Sequence, residues 1–263
     1  MKIRSVFVFV GCVGISAIGY TYGRHAIKIK SPKEGELLLK PPTVEVYNKV
    51  APIFDKSTNF DELLMGMPIL RRSLFRHCNG SVLEIGVGTA KNFKYYPFRK
   101  MTQLTVVDNS SEMLNVMEDK LKSLFTSWRY WLSPVPIKSV LADCENLPFP
   151  DNCFDTVAST FTLCSYNDPK KALLELKRVL KEDGKILFLE HGLSTTDSPE
   201  PNSLKYRFIN EKLNKDADRH HSNWGCIWNR NIGNIIKEVF PKSDSCFWRW
   251  HFGTTLYAAV NAK

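Results

Sequence analysis

The sequence contains no C-x-x-C pair. Its seven cysteines, Cys12, Cys78, Cys144, Cys153, Cys164, Cys226 and Cys246, are odd in number and scattered. Local spacing therefore supplies neither a zinc site nor a disulfide framework, and no metal is expected. Several lie inside apolar strand patterns, as buried thiols in a reducing compartment do. Acidic residues are missing from the amino terminus: none precedes Glu34, and no charge of either sign interrupts Val6 to Tyr22. A G-x-G-x-x-G nicotinamide fingerprint is missing too, because Lys91 stands where its third glycine belongs.

What is present begins with enough apolar residue, 43% of 263 positions, for one large domain with an appendage. Seven basic and two acidic residues fall in the first 42, so a net +5 of the total +9 belongs to this tail. Such a distribution favours a membrane surface or targeting role over a nucleic-acid groove. As a helix, Val6 to Tyr22 would span roughly 25 Å, at the short limit for a bilayer. Tyr20 and Tyr22 suit an interface, and basic residues flank the segment. A signal anchor is favoured over a cleaved signal peptide, and a mitochondrial sorting segment is compatible with the acid-free start. The expected organisation is an anchor over 1–30, a proline-containing linker over 31–42 and a catalytic domain over 43–263. The heavier positive flank follows the span, which keeps the domain on the cytosolic or matrix side. The mitochondrial inner membrane is preferred to the endoplasmic reticulum.

The domain is organised around Val82-Leu83-Glu84-Ile85-Gly86-Val87-Gly88-Thr89. Val82 and Leu83 read as a buried strand entering a glycine turn, which lets a ligand approach the backbone. Its E-x-G-x-G pattern resembles motif I of the class I S-adenosylmethionine (SAM) methyltransferases. That resemblance implies that Glu84 holds the cofactor's ammonium, directly or through water. A second strand, Gln103 to Asp108, ends in an acid 24 residues past Glu84, placed to hold both ribose hydroxyls. Ile137 to Ala142, Phe154 to Thr160 and Lys185 to Glu190 read as three further strands. Asp143-Cys144-Glu145-Asn146-Leu147-Pro148-Phe149 resembles the family's third motif, in which Asp143 accepts from the adenine amino group and the Cys144 N–H meets the ring. A helix is expected through Asn92 and Phe93, another from Ser110 and Ser111 to Lys122, and a third from Asp168 to Leu180. Residues 60–78 read as helical to a stop near Asn79-Gly80.

These motifs in order identify the chain as a member of the class I family. The implied fold is α/β: a Rossmann-like, seven-stranded, mostly parallel sheet with one antiparallel strand, preceded by the single transmembrane helix. The resemblance implies SAM as cofactor, with Tyr47, Glu84, Gly86, Gly88, Asn92, Asp108, Asn109, Met113, Asp143, Cys144, Glu145 and Thr160 as cofactor-binding positions. Met113 serves either the adenine or plain helix packing. Tyr47 to Asp55 resembles the entry segment of the ubiquinone-biosynthesis type, which folds over the cofactor as a lid; Asn48 replaces that segment's first Asp, and an ordinary amphipathic helix is the alternative. Thr162-Leu163-Cys164-Ser165, Glu190-His191 and Gly225-Cys226 resemble small membrane-anchored members, the animal alkyl-thiol enzymes and the fungal mitochondrial Oms-type proteins.

His191, at the tip of the fifth strand, is the candidate general base, or else a residue that orients the pocket. Residues 123–136 are either a surface insertion against lipid or a cap on the sheet. Residues 192–224 lie where acceptor-binding insertions go in this family, and adjacent His220 and His221 are not read as a metal pair. The expected reaction is methyl transfer to a small-molecule or lipid-like thiol, hydroxyl or amine. The alternatives are a membrane-tethered assembly factor in mitochondria and an RNA methyltransferase. Nucleic acid is disfavoured because the charge sits in the tail and no N/D-P-P-Y/F tetrapeptide follows the fourth strand.

Overall fold

The computed structural model describes residues 43–126, 131, 134–193, 204–241, 248–251 and 254–261. The expected span Val6 to Tyr22 and most of the aromatic stretch 127–133 lie outside the described residues. No helix among the described residues is long and apolar enough to cross a membrane.

The chain opens with helices α1 (Thr43–Leu64) and α2 (Met67–Phe75). One helical reading over 60–78 thus becomes two segments, because Gly66 takes φ 69° between them and breaks the ladder. Seven strands follow: β1 (Gly80–Ile85), β2 (Met101–Asp108), β3 (Ile137–Leu141), β4 (Phe154–Thr160), β5 (Leu180–His191), β6 (Trp248–Trp250) and β7 (Thr255–Asn261). Interleaved with them are α3 (Ser111–Phe125), α4 (Pro169–Val179), α5 (Leu204–Trp224) and α6 (Ile232–Val239). They form one sheet in the order β3-β2-β1-β4-β5-β7-β6. The first five strands pair in parallel, and β7 runs antiparallel to both β5 and β6.

The order reverses at β1, which is flanked by β2 on one side and β4 on the other. Both faces of a parallel sheet must be covered, and strand alternation divides the core accordingly. Leu83, Ile85, Val157, Ile186 and Phe188 pack toward α4 and α6, with Leu173, Leu176 and Ile236 fully buried. Each such leucine contributes about 1.5–3 kcal/mol by leaving water. Val82, Val106, Ala158 and Leu187 face the other way, against Leu70, Leu74 and Phe75 of α2 and Met117 of α3.

Two sequence expectations change. No α-helix follows the glycine turn; two short 3-10 turns, Phe93–Tyr95 and Phe98–Lys100, stand there. Pro97 interrupts the run, and Tyr96 is drawn fully inside. The polar stretch before the last helix is itself helical over Leu204–Trp224. There His220 stacks on Trp228 at 3.7 Å, while His221 Nε2 lies 3.5 Å from Thr43 Oγ1.

Candidate active site

The carboxyl ends of the parallel strands share one edge of the sheet, and the strand order reverses there at β1, the position at which open α/β sheets bind their ligands. Ile85 leads into Gly86 and Gly88, both left-handed with φ 56° and 52°. The two glycines serve different needs. A Cβ on Gly86 would lie 2.1 Å from Thr162 Cγ2, so the turn must pass tightly under the loop after β4. A Cβ on Gly88 would meet no protein atom within 4 Å. Open space therefore stands beside Gly88 where a ligand can come close. The Gly88 N–H donates to Asp108 Oδ2 at 2.7 Å, and the Ser110 N–H donates to Oδ1 at 2.9 Å. Burial raises the Asp108 pKa, opposed by these backbone donors and by that of the exposed Asn109. Each carboxylate oxygen retains a further acceptor site for a hydroxyl.

Glu84 shares its strand face with Val82, and so points to the α2 side. It is wholly buried. Asn92 Nδ2 donates to its Oε1 at 2.5 Å, and the Tyr96 hydroxyl donates to Oε2. Asn92 Nδ2 also donates to Thr160 Oγ1 at 2.9 Å, and Arg71 Nη1 donates to Asn92 Oδ1 at 2.6 Å. Arg71 is 4% exposed, pairs with Glu62 at 3.1 Å and lies over the Phe161 ring at 5.4 Å. Burial pushes Glu84 up to about 7, against the pull of Tyr96, Asn92 and Arg71. Glu84, Asn92 and Thr160 are thus brought together in one hydrogen-bonded network. Arg71 and Tyr96, which complete the network, were missed. An arginine in an amphipathic helix reads as solvated, and Tyr96 lies in a segment read as part of a regular helix.

Helix α1 covers this edge. Tyr47 Oη and Ser165 Oγ are 2.8 Å apart, and Ser110 Oγ donates to Asn48 Oδ1 at 2.7 Å. Asn48, which replaces the segment's first Asp, thus bonds to the loop that follows β2. Met113 packs with Val46, Val50 and Ala51, so its packing role is present under the helix. Thr89 Oγ1 donates to Asp55 Oδ1 at 2.5 Å, and Lys120 pairs with the same carboxylate, tying α1 to the turn and to α3. In the loop after β3, Asp143 is exposed and its Oδ1 accepts the Glu145 N–H at 2.9 Å. Glu145 Oε1 accepts the Asp168 N–H at 3.0 Å, which pins the start of α4. Cys144 is buried, and burial pushes its thiol up to about 12.

His191 ends β5, and its Nε2 lies 3.0 Å from Cys164 Sγ and 2.9 Å from Cys226 Sγ. Its ring meets Phe161 edge-on at 5.3 Å. Burial raises the Cys164 thiol, but hydrogen bonding from Cys226 and the charge of His191 outweigh it and hold Cys164 well below the ordinary thiol range. The loop carrying Cys164 is fixed from two sides. Glu190, wholly buried, accepts the Thr162 and Leu163 N–H groups at 3.0 and 3.2 Å, and Arg230 Nη1 donates to the Tyr166 carbonyl.

A model of the methyltransferase domain matches residues 83–188, which run from β1 through β5. The chain is 30% identical over 246 residues to the mitochondrial methyltransferase OMS1 of Saccharomyces cerevisiae, covering 87% of this chain and 48% of that protein. This chain belongs to the class I SAM-dependent methyltransferases. A ubiquinone/menaquinone biosynthesis C-methyltransferase, UbiE of Psychromonas ingrahamii, is 33% identical over 170 residues, 62% of this chain and 63% of its own. The chain spans between about half and under two thirds of these relatives' lengths. A solved SAM-dependent methyltransferase of Thermotoga maritima shares the fold, with a TM-score of 0.57 at 15% identity, covering 84% of this chain and all of that one. The methyltransferase cofactor is SAM. The space beside Gly88 and the buried Asp108 carboxylate fit a nucleoside: a backbone to lie against, and an acceptor for ribose hydroxyls.

Proposed function

We infer that this methyltransferase transfers a methyl group to a small-molecule or lipid-like acceptor held between α1, the loop after β4 and α5. The observation that carries this reading is the shared edge: the Gly86–Gly88 turn after β1, Asp108 at the end of β2 and His191 at the end of β5 lie along one edge of one sheet, beneath one covering helix. Asp108 would hold the ribose and Glu84 the ammonium end. Gly86 and Gly88 give the backbone its approach, and Asp143 and Cys144 flank the adenine. Bound SAM supplies an electrophilic methyl group. The protein's remaining task is to align an acceptor and exclude water. In its neutral form His191 would take the acceptor's proton at Nε2, positioned by the β5 tip and the Phe161 edge.

The lipid-like class is supported by the relatives: one is a mitochondrial methyltransferase and the other a ubiquinone/menaquinone biosynthesis C-methyltransferase. The segment Val6 to Tyr22 would tether the domain at a membrane, with the mitochondrial inner membrane preferred. Carbonate extraction tests the tether: full-length protein should pellet, and its appearance in the soluble fraction refutes it. Calorimetry with SAM, followed by labelled-methyl transfer into a membrane lipid extract, tests the reaction. His191→Ala should bind SAM as wild type and lose at least about tenfold in transfer, within the range general bases contribute; unchanged turnover overturns the base assignment. Binding of SAM without transfer to any extract would favour the assembly-factor alternative.

A further inference from the structure

Cys164, His191 and Cys226 are separated by 27 and 35 residues in sequence, yet their donor atoms all lie within 4.8 Å of one another. We propose that Cys164 Sγ, His191 Nε2 and Cys226 Sγ form a zinc-binding site with an open fourth position at the acceptor side of the methyltransferase crevice.

The donor set is the first argument. Two thiolates and one imidazole form a soft-to-borderline set that suits zinc and disfavours magnesium or calcium. Three protein ligands, rather than four, characterise zinc sites that keep a position for water or substrate. Geometry is the second. Zinc holds sulfur at about 2.3 Å and nitrogen at about 2.0–2.1 Å, which gives tetrahedral N···S edges of about 3.5 Å. The observed edges are 3.0 and 2.9 Å. Each needs to open by only about half an ångström to reach that value. The third argument is support. Each ligand sits on a separately fixed element. Cys164 is on the loop held by Glu190 and Arg230, and His191 is at the tip of β5. Cys226 is tied back through the Ile227 N–H, which donates to the Cys164 carbonyl at 3.0 Å. Such outer contacts are what orient metal ligands. Both cysteines are buried, and a neighbouring hydroxyl, Ser165 Oγ at 3.4 Å from Cys164 Sγ, bonds to Tyr47 of the covering helix.

The site stands on these residues alone. Its consequence for transfer rests on the proposed reaction: an acceptor heteroatom entering the fourth position would lose its proton to solvent more readily, because a bound cation favours the deprotonated form. His191 Nε2 would then be a ligand rather than the base.

The test is metal content, which is read without turnover. Full-length protein purified in detergent without chelator should retain about one zinc per chain after dialysis. Cobalt substitution should give visible bands of tetrahedral thiolate ligation. Cys164→Ser, Cys226→Ser and His191→Ala should each lose most of the zinc, while Cys78→Ser, a buried cysteine outside the cluster, should retain it. The cobalt spectrum on wild-type protein keeps the test valid if a variant misfolds. Substoichiometric zinc after loading, cobalt bands without thiolate character, zinc retained in the Cys164→Ser/Cys226→Ser double variant, or a Cys164–Cys226 disulfide under reducing purification overturns the proposal. Any of these would leave SAM binding and methyl transfer to be judged by their own assays.

Discussion

The two turn glycines make separable predictions. An alanine at either must hold a left-handed backbone, φ 56° at Gly86 and 52° at Gly88, which costs about 1–2 kcal/mol for an L residue. At Gly88 nothing more is added, since a Cβ there meets no protein atom within 4 Å. At Gly86 the Cβ would fall 2.1 Å from Thr162 Cγ2 and 2.9 Å from Thr162 Cβ. Thr162 cannot simply rotate away, because its Oγ1 is bonded to Ser159 at 2.7 Å and its N–H to Glu190 at 3.0 Å. Overpacking of this kind costs about 1–3 kcal/mol more. Gly86→Ala should therefore lose about 2–5 kcal/mol in denaturant titration, and Gly88→Ala about 1–2. Thr162→Ser, which keeps the hydroxyl and removes Cγ2, should recover part of the Gly86→Ala loss and none of the Gly88→Ala loss, since contacting residues couple and distant ones add. SAM calorimetry should reverse the ranking. Gly88→Ala puts a methyl group into the space assigned to the cofactor, so its affinity should fall tenfold or more, by the roughly 1.4 kcal/mol that a factor of ten represents. Equal destabilisation of the two variants refutes the packing argument. Wild-type affinity in Gly88→Ala refutes the placement of the cofactor.

Burial, reinforced by the Cys164 charge, raises Glu190 to about 8 from an ordinary 4.5. The protonated carboxyl therefore contributes stability fully below pH 4.5, and that contribution is lost as pH rises toward 8. Glu190→Gln should flatten the fall of the thermal midpoint over this range, and an unchanged slope speaks against it. Arg71 lowers the pKa of Glu84, which burial has raised to about 7. Arg71→Met should move the pH midpoint of SAM affinity upward, the cofactor's own titration cancelling between the two proteins; coincident midpoints would remove Glu84 from the ammonium site. Asp168 accepts the Lys170 and Lys171 N–H groups at 2.9 and 3.0 Å and caps α4. Asp168→Ala should cost about 1 kcal/mol in denaturant titration, and no change would contradict the cap.

Sequence alone reveals those parts of this site whose placement is set by strand period and strand end. Glu84, Asp108 and Thr160 each belong to a short apolar run that reads as a buried parallel strand, so their places on the sheet edge follow from counting. Residues set by tertiary approach were not legible. Tyr96 enters the core because Pro97 denies that stretch a regular helix, and Arg71 is buried because Asn92 and Glu62 accept from it. The Cys164, His191 and Cys226 cluster is the strongest case. The expectation that no metal binds rested on neighbouring cysteines, whereas these donors come from a loop, a strand tip and the residue after Gly225. In the sequence they stand in three separate short segments, Thr162 to Ser165, Glu190-His191 and Gly225-Cys226. Their meeting at one point is a property of the β4–β5 pairing and of how α5 returns the chain to that edge, with the Gly225 N–H closing on the His221 carbonyl at 2.7 Å and φ 67° there turning Cys226 inward. A Cβ on Gly225 would come within 3.0 Å of the Tyr47 ring, so the same turn that delivers Cys226 also seats the covering helix. The glycine turn, the covering helix and the thiol cluster are thus joined through contacts that no linear motif records.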